Sequence, residues 1–372
     1  MSSPPSAPNA ARRARRARWA ALALGCALAG LLLAILEGGL RLLDLAPSEP
    51  YGLDAHQERG VFAYDADLFW AQRPGYSRQE MAPGGTSWDI RVDEDGHRSD
   101  PFPADPSPGT VGVLGVGDSS MWGDRVPQDG RFLEGATQAV RAALPGTSLA
   151  LTTAACPGYS SFQIRRQLPP LLSTDRYQVV VALVMNSDFY PNARTDTSFV
   201  SVPALRPFAW VARHSVLLRW LRPRGAAVLG GFGQRPDPSG PLVHRVPARP
   251  DYRDNLDAIV AAAQGAGAEV ILLEPFRFWT GGTGGPPPCY PEPILAWMLE
   301  SVSEYRAVLE EVGRARGATV LDLQPIVERE PAPGALYADT VHPSALGHER
   351  IAARLAPVLE EAVLRAQADR SR

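Results

Sequence analysis

Lysine is missing from all 372 residues, so the 37 basic positions are arginine throughout. These arginines are scattered along the chain, which points to a compositional bias and argues against an arginine-built recognition surface. With 40 acidic residues the formal net charge is −3, and no overall positive field draws the chain toward nucleic acid. Cysteine is nearly absent. Cys26 falls in an apolar N-terminal run, which leaves Cys156 and Cys289 as two free thiols, with pairing in an oxidising compartment as the open alternative. A metal centre needs a denser His/Asp/Cys cluster than His342 and His348 supply, so neither metal nor cofactor is expected. No Gly-x-Gly-x-x-Gly or Walker sequence follows the first apolar strand, which excludes the usual nucleotide cradles. Gly-x-Ser-x-Gly is missing too: Met121 stands two residues after Ser119, against an α/β-hydrolase nucleophile elbow.

Only one long apolar run is present. Arg12, Arg13, Arg15, Arg16 and Arg18 precede the uncharged stretch from Trp19 to Leu36, and Glu37 closes it. As a helix this stretch rises roughly 27 Å, about the depth of a bilayer core. The arginine cluster is expected to stay cytoplasmic and the remainder to be exported. A cleaved signal peptide is the alternative, but the run is long for one and no Ala-x-Ala site ends it. The predicted organisation is a basic tail (1–18), a signal-anchor (19–36), a membrane-proximal segment and linker (37–108), the main domain (109–367) and a short tail (368–372).

Within that main domain apolar runs alternate with amphipathic stretches. Strands are predicted at 111–116, 148–153, 178–185, 268–273 and 318–323. Helices are predicted at about 129–143, 161–172, 251–265, 293–315 and 344–366. Continuous apolar strands separated by helices predict a doubly wound α/β domain, a five-stranded parallel sheet in flavodoxin-like order. Residues 189–250 and 275–292 break the alternation; both follow strand ends and read either as a substrate wall or as surface elaboration. Short strands are expected before residue 100, including one in "SWDIRVDEDGHRS".

Chemistry concentrates where strands end. "VGVLGVGDSSMWGDRV" (111–126) carries Ser119 just past the first strand of the domain, among glycines that permit a tight turn. A serine hydroxyl needs a base to become a nucleophile. "YADTVHPSALGHERIA" (337–352) offers one: Asp339 three residues ahead of His342 can hold Nδ1, leaving Nε2 free for a serine proton.

The blocks "GDSSMWGDRV", "CPGYSS" and Asp339-x-x-His342-Pro343, in that order, resemble the SGNH (GDSL-like) hydrolases over about residues 90–365. "DEDGHRSDPFP" is similar to the Asp-Gly-x-Arg preamble of that family's membrane-anchored bacterial branch. The resemblance implies Ser119 as nucleophile, His342 as general base and Asp339 as orienting acid. It implies an oxyanion hole from the N–H groups of Ser119 and Gly158 and an asparagine side chain. That asparagine comes from a Gly-x-Asn-Asp block, from which this chain departs with "LVMNSDFYPN". Aligning Asn186 with the asparagine puts Val184 at the glycine and Ser187 at the aspartate; aligning Asp188 with the aspartate puts Ser187 at the asparagine. Asn186 is preferred, since its amide can donate. The expected function is a periplasmic, single-pass inner-membrane esterase that removes a small acyl group, such as acetyl, from a carbohydrate. An O-acyltransferase acting on exported polysaccharide and a non-catalytic carbohydrate-binding scaffold are the alternatives.

Overall fold

A computed structural model of the chain describes residues 7–43, 61–65, 67–81, 87–99, 102–103, 106–107, 109–192, 195–199, 215, 217, 243–276 and 292–370. The chain divides into two compact units, Met1–Pro50 with Ala204–Phe232 and Tyr51–Pro203 with Gly233–Arg372. The first unit holds helix α1 (Ala7–Leu42). Its segment Arg15–Leu42 has a mean hydropathy of 2.4 over its most apolar window and buries none of it. It is long and apolar enough to cross a membrane, a property that signal sequences share. At its far end Glu37 pairs with Arg41 one turn on, and Glu37 Oε2 accepts from the Ser215 hydroxyl and the Leu217 N–H, both at 2.8 Å.

The second unit opens with two antiparallel hairpins, β1 (Phe62–Asp65) with β2 (Phe69–Gln72) and β3 (Ser77–Met81) with β4 (Ser87–Arg91). After them come β5 (Val111–Gly117), the one-turn helix α2 (Ser119–Trp122), α3 (Phe132–Ala143), β6 (Leu149–Thr153), α4 (Ser161–Leu172) and β7 (Val179–Leu183). The two-residue pair β8 (Pro191–Asn192) and β9 (Val243–His244) brackets residues 193–242. The unit finishes with α5 (Arg253–Gly265), β10 (Glu269–Glu274), α6 (Glu292–Arg316), β11 (Thr319–Asp322), α7 (Gln324–Arg329) and α8 (Ala345–Arg370).

Strands β5, β6, β7, β10 and β11 form one parallel sheet in the order β11-β10-β7-β5-β6. Counted along the chain this is the flavodoxin-like order 2-1-3-4-5, and the expected elements fall within a few residues of the observed ones. The cause is burial: every residue of β5 and of β7 is buried, as a sheet covered on both faces requires. Helices α3 and α8 pack together, and α4, α5 and α6 pack in succession.

The strand order reverses between β5 and β7, whose ends lie level, Gly117 opposite Leu183. Such a switch point leaves a crevice beyond the strand C-termini, where open α/β sheets bind ligands. The two strands approach closely there. A Cβ on Gly117 would lie 2.7 Å from the Leu183 carbonyl oxygen and 2.8 Å from Met121 Cβ, so only glycine fits.

Candidate active site

The turn after β5 is built by its own side chains. Asp118 caps α2 by accepting from the Ser120 N–H at 2.9 Å, and Gly123 closes it in the left-handed region at φ +79°. Ser119 is the first residue of this helix and is buried. Arg98, wholly buried, reaches in from the segment after β4. It donates to the carbonyls of Trp122, Gly123 and Val126 at 3.0, 2.6 and 2.7 Å, with its guanidinium over the Trp122 ring. This is the arginine of the Asp-Gly-x-Arg preamble, and it holds the loop that carries Asp124 and Arg125.

Asp339 and His342 sit on a loop pinched shut by a bridge between Tyr337 and Pro343 and by the Ala338 N–H on the His342 carbonyl at 2.8 Å. Asp339 Oδ1 accepts the N–H groups of Val341 and His342, each at 2.9 Å. The carboxylate therefore faces the imidazole with both oxygens, 2.9 and 2.8 Å from Nδ1. His342 Nε2 lies 2.9 Å from Ser119 Oγ. Ser119, His342 and Asp339, 223 and 3 residues apart in sequence, thus form one continuous chain of hydrogen bonds.

Charges around the imidazole sharpen this arrangement. Burial opposes ionisation of Asp339, yet the hydrogen bond and charge of His342, with the two backbone N–H groups, hold it well below the usual carboxylate range. Burial likewise pulls the His342 pKa down, but Asp339 and Asp124 outweigh it and raise the pKa above the ordinary value. Asp124 Oδ2 stands 4.0 Å from Nε2, and Arg125, at φ +66°, pairs with Asp339 Oδ2 at 2.9 Å. With its proton on Nδ1, facing Asp339, the imidazole presents the Nε2 lone pair to the serine hydroxyl.

The other expected residues flank this row. Gly158 lies in the loop after β6 at φ +76°, and Cys156 in the same loop donates its N–H to Gly117 O at 3.1 Å. Asn186 is buried just past β7, its Oδ1 unpartnered among the described residues. Ser187 turns toward the first block, its hydroxyl 3.5 Å from Asp118 Oδ2. Asp188 turns toward the second, where Oδ1 accepts the Ser161 N–H at 2.9 Å and the Ser161 hydroxyl at 2.5 Å. Burial pushes the Asp118 and Asp188 carboxyls up, to about 6 and about 8, with the Ser120 and Ser161 hydrogen bonds opposing it.

His348, in α8, is buried against Phe132 and accepts its N–H on Nδ1 at 3.2 Å; burial, then the charges of Arg131 and Arg98, hold its pKa down at about 3. No group of three or more His, Cys, Asp or Glu able to hold a metal occurs among the described residues. Cys156 is a buried free thiol, whereas Cys289 lies outside the described residues. Outside them too are most of the two segments that break the alternation, with Trp210, Trp220, Arg277, Phe278 and Trp279.

Several residues at the site carry no local sequence signal. Asp124 and Arg125 meet the Asp339/His342 loop across more than 210 residues. Arg245, immediately after β9, reaches Gly158 O at 2.5 Å; Trp70 and Gln72 of β2 reach the carbonyls of Pro157 and Ala155 at 3.0 Å each.

Residues 116–350 match the GDSL-like lipase/acylhydrolase family. No curated protein matches the chain. Among solved structures the chain is similar to TesA, at 17% identity with a TM-score of 0.39, covering 68% of this chain and 99% of that one. It is also similar to the acetyl xylan esterase AlAXEase, at 14% identity and a TM-score of 0.43, covering 67% and 100%. A third is the lipase/acylhydrolase from Enterococcus faecalis, at 17% and 0.41, covering 68% and 96%. The family match spans well over half of the 372 residues, so the chain belongs to the GDSL-like, or SGNH, hydrolases, serine hydrolases that cleave esters.

Proposed function

We propose that this family member is a membrane-anchored extracytoplasmic esterase that removes a small acyl group, acetyl in the first instance, from a carbohydrate of the cell envelope. The observation that carries the reading is the row from Ser119 Oγ through His342 to Asp339, at 2.9 and 2.8 Å. His342 Nε2 takes the Ser119 proton as Oγ attacks the ester carbonyl carbon, and Asp339 stays ionised and holds the imidazolium. The N–H groups of Ser119 and Gly158 and the Asn186 amide stabilise the resulting oxyanion, each donor contributing roughly 3 kcal/mol. Collapse breaks the bond to the sugar oxygen, which leaves with the proton from Nε2. Water, deprotonated by His342, then cleaves the acyl-enzyme to the free acid and restores Ser119.

The anchor reading rests on α1, and the outward orientation on the arginines that precede its apolar stretch. In this reading residues 109–367 form the hydrolase domain, and the carbohydrate substrate follows from its exported position. The chain in detergent should hydrolyse p-nitrophenyl acetate and be labelled on Ser119 by a fluorophosphonate. Ser119→Ala should lose both activities, and His342→Ala should lose hydrolysis. Hydrolysis that survives both substitutions would exclude the reading. Acylated sugar formed from an acyl donor and an oligosaccharide would turn it toward transfer.

A further inference from the structure

The peptide group that offers the Gly158 N–H is gripped from the side opposite to that N–H. Trp70 Nε1–H donates to the Pro157 carbonyl at 3.0 Å, and that carbonyl belongs to the same peptide plane as the Gly158 nitrogen. Arg249–Pro250 is the cis bond recorded in the chain, so the Pro157–Gly158 peptide is trans and its C=O and N–H point in opposite directions. Fixing the oxygen on Trp70 therefore fixes the direction of the N–H.

Neighbouring carbonyls are taken in the same way. Gln72 Nε2 donates to Ala155 O at 3.0 Å, and Gln72 Oε1 accepts the Trp122 indole N–H from the nucleophile helix at 2.6 Å. The Cys156 carbonyl accepts the Tyr159 N–H at 3.0 Å, and the Tyr159 hydroxyl returns to Trp70 O at 2.7 Å. The Gly158 carbonyl takes Arg245 Nη1, whose guanidinium is locked on Asp196 at 2.8 and 3.2 Å. Asp196 in turn accepts the Ser160 hydroxyl at 2.7 Å. Every carbonyl from Ala155 to Gly158 is thus bound, whereas the Gly158 N–H has no acceptor among the described residues.

We propose that Trp70, on a hairpin that precedes the family-matched region, is a positioning residue that aims the Gly158 N–H at the oxyanion. The proposal rests on the oxyanion role given above to Gly158. It has two parts. Geometrically, the indole bond stops the peptide from rotating as charge develops on the substrate oxygen. Electronically, a donor on an amide oxygen draws electron density from its nitrogen and makes the N–H a stronger donor, the cooperative polarisation of linked hydrogen bonds.

The test is Trp70→Phe in the full chain, which removes the indole N–H and keeps an aromatic ring against Tyr159. On p-nitrophenyl acetate kcat should fall about tenfold with KM within twofold, less than for outright loss of an oxyanion donor. Fluorophosphonate labelling of Ser119 should slow in parallel. Placing benzothienylalanine at position 70 exchanges the N–H for sulfur at nearly constant shape, and should reproduce both effects in a chain that stays folded, its melting temperature lowered only by the loss of one buried hydrogen bond. Wild-type kcat in the benzothienyl variant, or a rise in KM alone, overturns the role of Trp70 and leaves the esterase reading intact. Wild-type hydrolysis that is independent of Ser119 overturns both.

Discussion

Replacing Asp339 by Asn keeps the size of the side chain and removes its charge, and the surrounding bonds dictate which way the amide sits. Oδ1 accepts two backbone N–H groups, so the amide oxygen takes that place. The NH2 group then occupies the Oδ2 position, 2.8 Å from His342 Nδ1 and 2.9 Å from the Arg125 guanidinium. It can donate only if Nδ1 gives up its proton, which moves that proton to Nε2 and blocks acceptance from Ser119. The alternative keeps Nδ1–H on the amide oxygen at 2.9 Å, with the NH2 group pressed against Arg125. Loss of an orienting carboxylate in a serine–histidine relay costs up to about 10⁴-fold in kcat. Because Oδ1 can retain part of the Nδ1 contact, a loss of about 10³-fold is expected here, roughly 4 kcal/mol of barrier.

The pH profile provides the second readout. In the proposed mechanism His342 acts as a base only when neutral, so activity should fall as pH drops through its pKa, which burial lowers but Asp339 and Asp124 raise further, against Arg125 as well. In Asp339→Asn one raising carboxylate is gone and Arg125 is left without its partner, so the acid limb of kcat/KM should move to lower pH. Stopped assays of p-nitrophenyl acetate between pH 5 and pH 9, beside the melting temperature, measure both effects. A folded variant that keeps more than a tenth of wild-type kcat with an unmoved acid limb would refute this account of the relay.

Asp188→Asn should change stability more than turnover. Between the unfolded value of about 4 and the folded value of about 8, the native state holds a proton that the unfolded chain has released. Wild-type stability therefore declines as pH rises across that window, and the neutral amide should flatten this part of the curve; chemical denaturation at pH 5 and pH 8 measures it, and an unchanged slope would contradict it. Gly117→Ala places a methyl group 2.7 Å from the Leu183 carbonyl and should cost about 1–3 kcal/mol by overpacking, with kcat reduced because Ser119 shifts; wild-type melting and turnover would contradict it.

The sheet was legible because burial writes itself into composition. A strand covered on both faces has no polar positions, and "VGVLGV" and "VVVAL" could scarcely belong anywhere else. That Ser119, Asp339 and His342 would meet was legible for a different reason: a serine–histidine–acid row demands particular residue types at the ends of strands. The support around them left no such trace. Arg125 meets Asp339 through a fold-level coincidence of two loops, and Trp70, in a stretch without clear periodicity, reads as an ordinary buried aromatic until the Pro157 carbonyl is seen on its indole N–H. Positioning bonds to backbone carbonyls accept any donor of the right reach, so nothing in the sequence singles out the partner.

The departure in "MNSD" looks different once its three polar side chains are followed to their contacts. Ser187 faces Asp118 of the first block, and Asp188 is fastened to Ser161 beside the second. A buried carboxyl raised to about 6 next to a hydroxyl accepts when ionised and can donate when protonated, so the Asp118–Ser187 contact survives on both sides of that value. The block therefore ties the end of β7 to the turn after β5 through Ser187 and to the start of α4 through Asp188, without requiring the family's glycine at Val184. Asn186 is the member of the three whose side chain makes no hydrogen bond to the described residues, although it is buried at the switch point between β5 and β7. An unsatisfied buried amide costs about 1–3 kcal/mol. That cost attaches to Oδ1, an acceptor that an oxyanion cannot satisfy; in the proposed oxyanion hole Asn186 is preferred to Ser187 as third donor because its NH2 group makes no hydrogen bond among the described residues, whereas the Ser187 hydroxyl is turned to Asp118.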